Sequence, residues 1–262
     1  MNFNGEANFI NNHSSVFGGA IDSWGGAATL TFNGPTNFTG NYVYGSTVDS
    51  LEYPNHVNDQ HSRGGAINIG YLNPGSAGVL LNFNNTVTFK NNFVVETKNN
   101  RDALGGAVSA YGNGGNYNYL MNFNGATTFD GNYVYSLTGD AYGGAIYYDA
   151  GNKAVLNLGP GSTVTNNVAK TQGGAIYLEG GTINLNANGG DIVFQGNRQG
   201  ATFTDIGDGI YAPVAGTGDP NAIYLGGSGS LNMDTAAGNL IHFYDPIASV
   251  SSATMEINKT GD

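Results

Sequence analysis

Along this chain, short apolar runs alternate with polar and glycine-rich breaks, and few stretches keep the apolar spacing of a helix for long. Val, Ile, Phe and Tyr supply strand-forming residues throughout. The pattern predicts an all-β protein, and it repeats. A Gly-Gly-Ala-apolar tetrad occurs at Gly18-Gly19-Ala20-Ile21, Gly64-Gly65-Ala66-Ile67, Gly105-Gly106-Ala107-Val108, Gly143-Gly144-Ala145-Ile146 and Gly173-Gly174-Ala175-Ile176. Between the tetrads lies a second unit, in which a Phe is followed by another Phe six residues later and by Asn three further on. Its copies are Phe3/Phe9/Asn12, Phe32/Phe38/Asn41, Phe83/Phe89/Asn92 and Phe123/Phe129/Asn132. Leu158, Val164 and Asn167 keep the spacing, and Phe194/Asn197 close a copy that has gained three residues.

Each unit thus predicts three short strands: one after Gly-Gly-Ala, one at Leu-Asn-Phe and one at Thr-Phe. The leanest unit, from Gly143 to Gly173, is 30 residues, and the surplus in longer units is confined to two gaps. Insertions restricted to corners point to a solenoid in which each coil buries its apolar face only against its neighbours. The expected fold is a right-handed parallel β-helix of about six to seven three-strand coils. It forms a single domain over 1–262, regular through 197 and looser over 198–262. The glycine pair suits a sharp corner that needs positive φ. Phe9, Phe38, Phe89, Phe129 and Phe194 are expected to stack as an interior aromatic ladder. Asn12, Asn41, Asn92, Asn132, Asn167 and Asn197 are expected to form a hydrogen-bonded ladder at a bend, since an amide both donates and accepts.

Composition narrows the partners. The net charge is −11, with eight Lys and Arg scattered singly. Phosphate neutralisation needs clustered cations, so nucleic acid and electrostatic docking to an anionic membrane are excluded. No apolar run approaches the roughly 18 residues that span a bilayer, so direct membrane insertion of this stretch is not expected. Met1 opens directly on "NFNGEANF", which reads as strand, as a fragment of a longer chain would. Both ends expose strand edges, through which self-association is an expected contact. The chain has no cysteine, which suits export in an unfolded state through an oxidising compartment.

The alternation of Gly-Gly-Ala-[Ile/Val] with Phe-x-x-Asn resembles the passenger region of the polymorphic membrane proteins, autotransporters best known from chlamydiae. "NLIHFYDPI" at 239–247 resembles a segment that recurs in that family. The resemblance implies a secreted β-helical passenger of an outer-membrane autotransporter, displayed at the bacterial cell surface or released. It further implies adhesion to a host-cell protein or glycan receptor. The chain departs from the family in lacking cysteines and a membrane barrel.

The residues themselves offer little chemistry: no catalytic, cofactor-binding or metal-binding residue is expected. Asp22, Asp149 and Glu179 follow Gly-Gly-Ala strands by similar distances, and Asp149 with Glu179 come from consecutive coils. A polysaccharide-cleaving or polysaccharide-binding protein, the alternative reading, would need such acids about 5 to 9.5 Å apart in one groove. "DIGDG" at 205–209 lacks the ligand spacing of a calcium loop, and the histidines lack that of a zinc site. Partner contacts are expected at the corner between the ladder Asn and the next Gly-Gly-Ala, where the gap reaches 42–63. Tyr42, Tyr44, Tyr53, His56, His61, Arg101, Tyr133, Tyr135 and Tyr142 gather there, and Tyr suits protein or glycan contacts. A third reading, a passive stalk, predicts smooth corners instead.

Overall fold

The computed structural model describes residues 1–25, 27–45, 61–72, 78–112, 118–149, 151, 153–227, 229–250 and 255–260. Among these every regular element is a strand. The Thr-Phe strands form one seven-stranded face, from Ala7–Ile10 through Thr127–Asp130 to Ile241–Phe243. The Asn-Phe strands and the strands after Gly-Gly-Ala form two further stacks. The long strand Ile176–Asn186 runs through both and joins them into one sheet. Neighbouring coils pair in parallel and in register: Phe83 lies against Phe32 and Phe123, and Phe89 against Phe38 and Phe129. The fold is a parallel β-helix. Seven coils at one strand spacing give a height of roughly 30 Å.

Alternation within strands explains the core. Every second residue of Val79–Phe83 is buried (Val79, Leu81, Phe83), and the same holds for Tyr119, Met121 and Phe123 one coil on. Phe9, Phe38 and Phe89 stack with rings 4.6 and 4.8 Å apart, and Phe129 follows at 4.7 Å. Val164 takes the next rung, and Phe194 stacks on Phe243 beyond it at 4.8 Å. A second stack that the repeat also encodes, Phe3, Phe32, Phe83 and Phe123, meets the first edge to face at 5.5–6.3 Å. Rings therefore touch rings both along and across the axis.

The asparagine ladder is continuous. Asn41 donates from Nδ2 to Asn92 Oδ1 at 2.9 Å and to the Phe9 carbonyl at 2.9 Å. Asn92, Asn132 and Asn167 repeat both bonds one coil further each time. Each Oδ1 also accepts the backbone N–H of the asparagine below. Asn41, Asn92, Asn132, Asn167 and Asn197 have no exposed surface. The run stops at Asp245, whose carboxylate accepts from Asn197 Nδ2 and N–H, each at 2.8 Å, and from the Gly196 N–H at 3.0 Å. An acid there can only accept, so the ladder has a polarity and a terminus.

The Gly-Gly-Ala tetrad answers two steric demands. Gly105 and its counterparts take positive φ (66° at Gly105, 71° at Gly143), a region closed to most side chains. The second glycine lies against the backbone of the next coil: a Cβ on Gly106 would collide with the Gly144 carbonyl oxygen and the Tyr133 backbone.

Where described, the corner insertions form strands. After the ladder Asn the chain forms Tyr42–Gly45, Phe93–Glu96 and Tyr133–Ser136, stacked in parallel. It returns through His61–Arg63, Asp102–Leu104 and Ala141–Tyr142, stacked likewise. Val43, Val94, Val134, Ala103, Ala141 and Ala169 form a separate small core between them. The three-strand coil thus carries a two-strand lobe at one corner.

Two consequences are measurable. Asn132→Ala removes a buried amide that bonds both neighbouring coils, and is expected to cost about 3 kcal/mol or more in urea unfolding. Asn12→Ala, at the exposed end of the ladder, should cost about 1 kcal/mol or less. Gly106→Ala should prevent soluble expression or lower the unfolding temperature far more than Ala107→Gly, because backbone, not a movable side chain, occupies the space.

Candidate functional site

The tyrosines expected at the corner divide into two columns on opposite sides of the lobe. On its outer side His13, Tyr42, Phe93 and Tyr133 stack with rings 5.2, 4.9 and 4.8 Å apart. In-register pairing of the strands dictates this, since equivalent side chains must lie one strand spacing apart. A ring covered on both faces offers a partner only its rim. Tyr44 and Tyr135, on the same side, lie beneath a hairpin described below: Tyr135 stacks on Tyr211 at 4.4 Å and the Tyr44 hydroxyl donates to the Asp208 carbonyl at 3.3 Å. Burial pushes the Tyr133 and Tyr135 phenols up. Arg101 sits half-buried where the lobe strands connect, its carbonyl accepting from Ser136 Oγ at 2.6 Å. Tyr53 and His56 lie outside the described residues.

On the other side, the lobe's return strands pack against the strands after Gly-Gly-Ala. Tyr142 stacks on Tyr177 at 4.5 Å, and Tyr147, Tyr177 and Tyr224 form a column with rings 5.6 Å apart. Leu104 packs against this column. Tyr142 was expected at the corner; Tyr147, Tyr177 and Tyr224 were not singled out, although each follows an Ile at the same place in its coil, in register. The Arg63 guanidinium lies 3.8 Å above the Tyr111 ring, a cation–π contact made without any surface exposure.

Acids lie near this aromatic cluster. His61 Nδ1 lies 3.0 Å from Asp102 Oδ2, an ion pair when His61 is protonated. Burial would raise Asp102, yet His61 and the Asp140 N–H, at 2.9 Å, outweigh it and hold the carboxyl below its ordinary range. Asp149 and Glu179 do come together from consecutive coils. Burial, and next the Glu179 charge, push the Asp149 carboxyl up to about 6, against a smaller pull from Arg63 and His61. The Tyr177 hydroxyl donates to Glu179 Oε2 at 2.7 Å. Asp22, the third acid of that series, stays three coils away from Asp149 and accepts from Asn68 Nδ2 at 2.8 Å. Among the described residues no three His, Cys, Asp or Glu side chains are grouped as metal ligands.

The Asp149 shift has a sign. Its folded pKa lies above the ordinary 3.8, so the folded chain binds the proton more tightly, and stability falls as pH rises from about 4 to about 6. Asp149→Asn is therefore expected to raise the unfolding temperature at pH 7.5 by a few degrees, with the gain gone at pH 3.5; thermal scans at both pH values decide it.

Residues 161–179, which include Val164, Asn167 and the tetrad at 173–176, match the Chlamydia polymorphic membrane protein repeat. Over 93 residues the chain is 40% identical to the probable outer membrane protein pmp8 of Chlamydia pneumoniae, covering 35% of this chain and 9% of that protein. It is 39% identical over 90 residues to pmp6, covering 32% and 6%, and 33% identical over 125 residues to pmp1, covering 46% and 12%, both from the same organism. The chain thus aligns with only a small part of the length of these relatives. No solved structure matches it. The relatives' names support a place at the bacterial outer membrane or cell surface. The chain is thus a β-helical segment that is similar, over part of its length, to the polymorphic membrane proteins of Chlamydia.

Proposed function

We propose that this segment is a non-enzymatic surface passenger that attaches to host cells through the lobe side of its β-helix, with a host protein or glycan as receptor. The observation that carries this reading is the lobe. The coil that ends at Gly173 passes from Asn167 to Gly173 with only Val168–Ala169 as extra strand. The coils of Tyr42, Phe93 and Tyr133 instead build paired strands and a second core. A stalk gains no length from such a lobe, because its strands add width at an unchanged coil spacing. Extra chain held on a rigid scaffold is the usual setting for recognition. The relatives, named as probable outer membrane proteins, support the same location. The longest connection on the lobe, between Tyr42–Gly45 and His61–Arg63, is the leading contact.

The test keeps both lobe strands. Beads coated with the segment are counted on host epithelial cells beside beads carrying a variant in which 47–59 is replaced by a short Gly/Ser connection. Circular dichroism first establishes that the variant is folded. Attachment of the parent and loss of most attachment in the variant is the expected result. Equal attachment by both places the contact elsewhere on the segment, and attachment by neither sinks the adhesive reading.

A further inference from the structure

Between Asn197 and Asn221 the chain leaves the β-helix a last time and forms a hairpin, Phe203–Asp205 paired antiparallel with Tyr211–Pro213. From the coil of Arg198 it reaches back to Tyr44, four coils away, about 19 Å along the axis. It lies across the outer side of the lobe, over Tyr44, Tyr133 and Tyr135.

Its attachment differs in kind from that of every other strand pair. Phe203–Asp205 and Tyr211–Pro213 pair only with each other, as a separate two-stranded sheet. No residue from Thr202 to Pro220 is buried. The backbone bonds Ile206 N–H to the Ile210 carbonyl, Ile210 N–H to the Gly207 carbonyl and Val214 N–H to the Thr202 carbonyl all close within the excursion. Among the described residues, one hydrogen bond links residues 203–213 to the lobe, from the Tyr44 hydroxyl to the Asp208 carbonyl. Among the described residues ring contacts add to this: Tyr211 on Tyr135 at 4.4 Å, Phe203 against Tyr135 at 5.0 Å and against Tyr133 at 6.2 Å. Ile206, at the turn, is 63% exposed.

A lone two-stranded hairpin is marginal in water, so this one owes its place to a few aromatic contacts. The lobe beneath is held independently by parallel pairing and by its own core. Opening the hairpin therefore breaks no sheet bond of the lobe or the β-helix. From this we propose that hairpin 203–213 is a removable cover: it opens as a unit and bares an aromatic face of the lobe made by Tyr44, Val95, Tyr133 and Tyr135. Glycines at positive φ flank it, Gly200 on one side and Gly216 and Gly218 on the other, which lets both connections bend. The proposal does not rest on adhesion.

The test is tyrosine nitration mapped by mass spectrometry, in the parent, in a variant with 203–213 replaced by a short Gly/Ser link, and in Tyr211→Ala. With the link, nitration of Tyr44 and Tyr135 should rise on the order of tenfold, as expected when a locally stable cover is lost. Tyr148, fully buried in the β-helix, should not change, and the urea midpoint should stay near that of the parent. Tyr211→Ala should give a smaller rise at the same two tyrosines. The proposal is overturned if removing the hairpin also exposes Tyr148 or lowers the midpoint as far as Asn132→Ala does, since the hairpin is then a structural clamp. Should the link variant fail to fold, it is overturned as well, and unchanged nitration of Tyr135 in Tyr211→Ala has the same meaning.

Discussion

A buried asparagine amide that donates upward, accepts from below and also caps a phenylalanine carbonyl sets both the spacing and the phase of successive coils. Asn41, Asn92, Asn132 and Asn167 all do this with bonds of 2.9–3.0 Å. A longer amide would not hold the same bend, and an acid can receive but not pass the bond on, as Asp245 shows at the end of the row. A slip of one residue would break every rung at once, so coils stack only in this register. The phenylalanine stacks, the in-register outer columns and the glycine contacts of Gly65, Gly106 and Gly144 all follow from that phase.

The same register governs what the surface can offer. Identical side chains one strand spacing apart stack on each other, which stabilises the coil and uses up their faces. Tyr42, Phe93 and Tyr133 are consumed in this way, and so are Tyr147, Tyr177 and Tyr224. On the outer Asn-Phe face Asn82, Asn122, Asn157, Asn184 and Asn232 bond amide to amide at 2.6–2.8 Å. Such regular faces carry little that distinguishes one place from another. Distinction arises where the repeat is broken: at the lobe, at the hairpin over it, and at Asp149 and Glu179.

Stacking also forces like charges together. Asp149 and Glu179 lie close together on consecutive coils, at a register shift where Asp149 pairs with Gly180, and burial with repulsion from Glu179 raises Asp149. In a chain of net charge −11 that cost is tolerated beside Arg63 and His61, which pull Asp149 the other way.

The repeat alone determined the solenoid. Gly-Gly-Ala, the paired phenylalanines and the terminal Asn, written at fixed spacing, sufficed for the strands, the inward ladders and the corners that vary, because each rung depends on local spacing and on an identical neighbour. The second phenylalanine stack and the Tyr147, Tyr177 and Tyr224 column were legible in the same way, at constant offsets within the coil. The lobe was not. That Tyr42 and Tyr142 lie on opposite sides of it depends on how two stretches of unequal length pair, and spacing does not encode that. The position of hairpin 203–213 over Tyr44 and Tyr135 was equally hidden, since Tyr44 meets Asp208, 164 residues on, by a hydrogen bond and Tyr135 meets Tyr211 by ring packing, neither through the repeat. Local periodicity fixes what recurs in every coil; only the tertiary structure decides where the exceptions to the repeat fold back and what they cover.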